Sequence, residues 1–192
     1  MDSMLKKRIR QAVCLLCCAV LLLPVSAWSE ESVTTGEAVE TLPFLQSFSA
    51  TDLDGNTVDQ TIFADYDLTM INIWATFCQP CISEMPELGR LHADYEEKGV
   101  QVIGLVSDVT TAEGTISESQ VDLAREIVQT TGAAYIHLLP SEDLNRIVLW
   151  QIYAVPTTIF VNRQGDLVGY AYMGAADYET WAQRIEDTLA LM

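Results

Sequence analysis

Cys78 and Cys81 stand two residues apart at the end of an apolar run, Ile71-Asn72-Ile73-Trp74-Ala75-Thr76-Phe77, and Pro80 lies between them. The run reads as a buried strand, and the Pro-containing turn after it reads as the start of a helix. The first N–H groups of a helix lack intrahelical partners and its dipole is positive there, so a thiolate at Cys78 is favoured over the thiol. The thiolate is the attacking species in disulfide exchange, and Cys81, one turn further on, is placed to resolve the mixed disulfide that results. The competing use of such a pair is half a zinc site, which needs two further ligands at similar spacing. The only other cysteines, Cys14, Cys17 and Cys18, fall within the first eighteen residues, and neither His92 nor His137 has a companion at ligand spacing. No metal or cofactor is therefore expected.

The elements around this pair set where it works. A basic stretch through Arg10, an apolar run from Ala12 to Leu23, and Pro24-Val25-Ser26-Ala27 make residues 1–27 an export signal or, if uncleaved, a membrane anchor. Residues 28–41, rich in Glu, Ser and Thr, read as a flexible linker. The folded domain is expected over 42–192, outside the cytoplasm, with Cys78 and Cys81 as its only cysteines. A disulfide three residues apart closes too small a loop to staple a fold, so the pair is better explained by chemistry. The formal net charge is −17, and from residue 28 onward six Lys/Arg face 26 Asp/Glu, a net of −20. That surface repels phosphate backbones, so nucleic acid is excluded as a partner, and the acidity is read as a solubility device before an acidic docking face.

Within the domain, Phe48–Thr51 and Asn56–Val58 flank the turn Asp52-Leu53-Asp54-Gly55 as a small edge hairpin. Leu68–Trp74 and Val100–Val106 read as buried strands, the second parallel to the first. Helices are expected over Gln79–Lys98, kinked at Pro86 and closed by Gly99, over Val121–Thr131, from Ser141 through Trp150, and over Ala176–Leu191. Tyr135–Leu139, Thr157–Asn162 and Asp166–Tyr172 complete a mixed sheet, the last two joined by Arg163-Gln164-Gly165 as a hairpin. Alternating strands and helices in this order predict an α/β fold with helices on both faces of the sheet.

The order of elements together with WATFCQPC resembles the thioredoxin fold, and within it the exported TlpA/ResA-like branch, over roughly Leu42 to Leu191. The resemblance implies a three-layer fold with an N-terminal β-hairpin extension. It also implies a redox disulfide Cys78–Cys81 and a cis peptide at Val155–Pro156 facing it. Cys78, Cys81, Glu84 and Pro86 fulfil the branch pattern Cys-x-x-Cys-x-x-Glu-x-Pro, which makes Glu84 a candidate for handling the proton of Cys81; its plainer role is a carboxylate favoured by the helix dipole. Where many thioredoxins carry a buried Asp, six residues before the first cysteine, this chain has Asn72, which takes no proton. Trp74, Gln79, Pro80, Val155 and Pro156 are assigned to substrate contact, with core packing as the plainer role for Trp74 and a rigid turn for Pro156. Met85, Ile82, Trp150 and Tyr153 are further candidates for an apolar rim.

The activity implied is an extracytoplasmic thiol:disulfide oxidoreductase, acting as a monomer, that reduces disulfides of exported proteins. Cytochrome c maturation or support of a repair reductase would be its setting, and a membrane electron donor of the CcdA/DsbD type would recharge it. Two alternatives remain: a Sco-like copper-binding assembly protein using His137, although that family spaces its cysteines by three, and a peroxiredoxin-like peroxidase, although the Thr that family needs three residues before its cysteine is Ala75 here. A redox-inert adaptor that merely keeps the fold is a third.

Overall fold

A computed structural model describes residues 42–192. The segments read as signal or anchor (1–27) and linker (28–41), with Cys14, Cys17 and Cys18, lie outside the described residues. Seven strands are present: β1 (Ser49–Thr51), β2 (Thr57–Asp59), β3 (Leu68–Trp74), β4 (Val100–Val106), β5 (Ile136–Leu138), β6 (Thr157–Asn162) and β7 (Tyr172–Met173). Four helices accompany them: α1 (Gln79–Tyr95), α2 (Glu118–Thr131), α3 (Glu142–Ile147) and α4 (Tyr178–Leu189). β1 and β2 form the antiparallel hairpin, whose turn is held by the Asp52 carboxylate accepting from the N–H groups of Asp54 and Asn56 at 3.0 and 2.8 Å.

The main sheet runs β5-β4-β3-β6-β7, with β3, β4 and β5 parallel and β6 and β7 antiparallel to their neighbours. β3 and β4 are buried along their whole length, as continuous apolar runs at the centre of a two-sided sheet must be. Strand side chains alternate between faces. Ile71 and Ile73 accordingly join Phe48, Phe63, Leu144 and Val148 on one side, where α3 and the hairpin pack. Met70 and Trp74 join Met85, Leu88, Leu91 and Trp181 on the other, under α1, α2 and α4. Asn72 shares the parity of Met70 and Trp74, so an amide sits in the centre of the sheet beneath α1.

The thioredoxin-like arrangement expected is the one found, with local differences. The helix expected from Ser141 through Trp150 ends at Ile147 and is followed by a separate 3₁₀ turn over Leu149–Gln151. α1 ends at Tyr95 and continues as a 3₁₀ turn over Glu96–Lys98 before Gly99 closes it in the left-handed region at φ 80°. Pro86 lies inside α1 without ending it. The strand expected over Asp166–Tyr172 is broken: Leu167 pairs with Val161, but pairing resumes only at Tyr172 opposite Thr158, two residues out of step. Gly169, at φ 68°, supplies a conformation that an L side chain resists, and the ladder is interrupted around it.

Candidate active site

Cys78 is the N-cap of α1, in extended backbone, and its Sγ accepts a hydrogen bond from the Cys81 N–H at 3.2 Å. The two cysteines form a disulfide with Cα atoms 5.3 Å apart. Cys78 keeps 5 % of its surface and Cys81 none, so an external thiol or disulfide meets Cys78 alone. The turn that delivers Cys78 is pinned from the loop after β4. Both Asp108 carboxylate oxygens accept from the Thr76 N–H at 3.0 Å, and one also accepts from the Thr76 hydroxyl at 2.7 Å. Ser107 donates its N–H and hydroxyl to the Trp74 carbonyl at 2.8 and 2.9 Å.

The Val155–Pro156 peptide is cis, as the resemblance implies. Antiparallel register puts Thr157 opposite Ile73, so the proline turn and the strand that ends at Trp74 emerge at the same edge of the sheet. Pro156 itself is buried, whereas Gln79, Pro80 and Phe77 are exposed beside the disulfide. Of the residues read as candidates for an apolar rim, Tyr153 and Trp150 are open to solvent, whereas Met85 is buried in the core and cannot line one. Trp74, read as a substrate contact, is fully buried as well. It supports the site from below, with its indole N–H donating to His137 Nδ1 at 3.2 Å.

Beneath the disulfide lies a line of polar groups that spacing alone did not reveal. Register sets His137, Gly104, Asn72, Thr158 and Tyr172 side by side across five strands. His137 Nε2 bonds the Ala133 carbonyl at 3.1 Å, so with Trp74 donating to Nδ1 both ring nitrogens are used and the neutral imidazole is fixed. Burial pulls its pKa down to about 4. A Cβ at Gly104 would lie 2.1 Å from His137 Nδ1, which explains the glycine in mid-strand.

Glu84 is buried at 4 % exposure, directly above this line. Its Oε1 accepts from Asn72 Nδ2 at 3.0 Å, and its Oε2 accepts from the Ala176 N–H at 3.1 Å and the Trp181 indole at 3.2 Å. Burial raises its pKa, while these three donors and the Arg184 charge act against the rise. Three residues beyond Cys81 on one helix, it shares the buried face of the resolving sulfur. Trp181, Ala176, Thr158 and Asp108 were not singled out from the sequence. Asn72 carried a signal, a lone amide in a mostly apolar strand, but the partners that use it, Glu84 and Thr158, come 12 and 86 residues further along the chain.

The fold and the Cys-x-x-Cys site define a thioredoxin-like protein. A profile of the AhpC/TSA family matches residues 44–169, and the chain belongs to that family. It is 28 % identical over 122 residues to a thiol-disulfide oxidoreductase ResA of Halalkalibacterium halodurans, a match covering 64 % of this chain and 62 % of that protein. It is 29 % identical over 146 residues to the thiol:disulfide interchange protein DsbE of Allochromatium vinosum, covering 74 % and 72 % respectively. The match thus spans less than two thirds of the ResA protein's own length. Among solved structures, a thioredoxin-family thiol:disulfide interchange protein from Chlorobium tepidum TLS superposes with a TM-score of 0.64 at 19 % identity, over 78 % of this chain and 97 % of that one. No helix among the described residues is long and apolar enough to cross a membrane.

Proposed function

We propose that this chain is an extracytoplasmic thiol:disulfide oxidoreductase that reduces disulfides in exported proteins. The observation that carries the reading is the asymmetry of the pair: Cys78 caps a helix and keeps a little exposed surface, while Cys81 is sealed on the buried face of that helix, three residues before a buried carboxylate. In the reduced enzyme the Cys78 thiolate, stabilised by the helix start, attacks one sulfur of a substrate disulfide and releases the other as thiolate. Glu84 takes the proton of Cys81, whose sulfur attacks Cys78 Sγ, closes the Cys78–Cys81 disulfide and frees the second substrate sulfur. Two electrons have then passed to the substrate. A membrane dithiol carrier of the CcdA/DsbD type returns them, and haem-site cysteines of apocytochrome c or an exported repair reductase are the clients this reading favours.

An extended substrate segment is recognised beside Cys78 by the exposed Gln79 and Pro80 and by the backbone of Val155 before Pro156. The copper reading loses its histidine, because both ring nitrogens of His137 are already engaged inside the core. Cys81→Ser is the test: it is expected to accumulate mixed disulfides with exported proteins through Cys78, while Cys78→Ser captures none and has no reductase activity. Exchange that persists in Cys78→Ser overturns the assignment. Equilibration with glutathione checks the direction, and a potential in the range of disulfide-forming enzymes would reverse it.

A further inference from the structure

Glu84 must both accept and give up a proton if it serves Cys81, yet its surroundings are built almost wholly of donors. The Ala176 N–H and the Trp181 indole, both on Oε2, cannot accept a hydrogen bond. A proton on Glu84 therefore has to sit on Oε1, where it meets Asn72 Nδ2 at 3.0 Å, again a donor. We infer that Asn72 is the positioning residue that makes Glu84 reversible: its side-chain amide turns by half a revolution when Glu84 is protonated, exchanging Nδ2 for Oδ1 in front of Oε1. This rests on the reading of Glu84 as the group that takes the Cys81 proton.

Two features of the site permit the turn. The second partner of Asn72 Nδ2 is the Thr158 hydroxyl at 3.1 Å, a rotor that accepts from the amide now and donates to the carbonyl after it. At its other end Asn72 Oδ1 is buried and has no hydrogen-bond partner among the described residues, so nothing there holds the amide in one orientation. One end is unpartnered either way, and the Glu84 proton decides between the two. The remaining groups that face Glu84 are fixed in charge through the change. Arg184 approaches from α4, and Tyr135 lies just ahead of β5, its phenol pKa raised first by burial and then by the Glu84 charge. Burial holds the Glu84 proton affinity above the usual carboxylate value, which brings the switch nearer to neutral pH.

NMR titration of the oxidised full-length chain tests this without any thiol chemistry. The Glu84 side-chain carboxyl carbon and the Asn72 side-chain amide signals are expected to move together with one midpoint. Asn72 signals that stay still while Glu84 titrates, or a Glu84 that remains ionised down to pH 4, overturn the proposal. In Asn72→Leu the anion loses a charge-assisted bond and the acid only a neutral one, so the Glu84 midpoint rises by about one pH unit, a tenfold gain in proton affinity. The Glu84-dependent limb of the alkylation profile of the reduced protein moves with it, and the Cys78 limb does not. An unmoved midpoint in this variant also overturns it, and if the variant does not fold, the wild-type titration decides alone. Co-titration in a protein whose exchange rate is unchanged by Glu84→Gln would instead sink the catalytic role of Glu84 and leave the amide switch standing.

Discussion

At the level of single residues the proposed proton acceptor is Glu84, a buried carboxylate held by three N–H donors, whose pKa burial raises. Glu84→Gln keeps the shape and removes the base, so the collapse of the mixed disulfide is expected to slow by roughly 10²-fold, the usual contribution of a positioned proton acceptor. Stopped-flow measurement of mixed-disulfide decay, with the pH dependence of thiol alkylation beside it, checks this; unchanged rates and an unchanged profile reject the role. Trp181→Phe removes one donor to the carboxylate while leaving the ring in the core. The Glu84 midpoint should then rise, read by the same carboxyl NMR signal.

Between residue and molecule stand the two devices that hold the active-site strand and turn in register. Asp108 clamps Thr76 across the gap between the ends of β3 and β4. Asp108→Ala is expected to cost about 1–3 kcal/mol, measured by denaturant unfolding, through the unsatisfied Thr76 N–H that it leaves. His137 does the same for Trp74, and its sign with pH is fixed. The unfolded chain protonates it near the ordinary 6.5 and the folded chain only at about 4, so between these values the unfolded state binds more protons. Stability contributed by the neutral ring is therefore complete above pH 6.5 and is lost as pH falls, by up to ~3 kcal/mol. The raised Glu84 works in the opposite sense, its contribution being present at low pH and lost as pH rises through its folded value. Comparing unfolding curves of wild type and His137→Gln from pH 4 to 7 isolates the histidine, and parallel curves would refute it.

On the scale of the whole molecule, the described domain carries six Lys/Arg against 22 Asp/Glu, a net of −16. The salt bridges among the described residues all involve side chains at least 38 % exposed and contribute little to stability. The charge acts on encounter instead. Exchange with a basic protein disulfide is expected to slow several-fold between about 0.02 and 0.5 M salt, while exchange with a small neutral disulfide stays flat. Equal salt dependence for both would mean that the acidity is a solubility device only.

β3, β4, the N-cap cysteine and the closing glycines were legible in the sequence, because continuous apolar runs, Pro in a first helical turn and Gly after a last one each have a local physical cause. The break at Gly169 was not, since a strand's alternation continues through residues whose pairing partner has slipped by two. The disulfide pair, its place at a helix start and the acid three residues on were likewise set by the chain's own order. Only tertiary structure decided what the acid rests on. Asn72, Thr158, Trp181 and Ala176 reach Glu84 through sheet register and helix packing, and no periodicity encodes which donors will converge on one buried carboxylate.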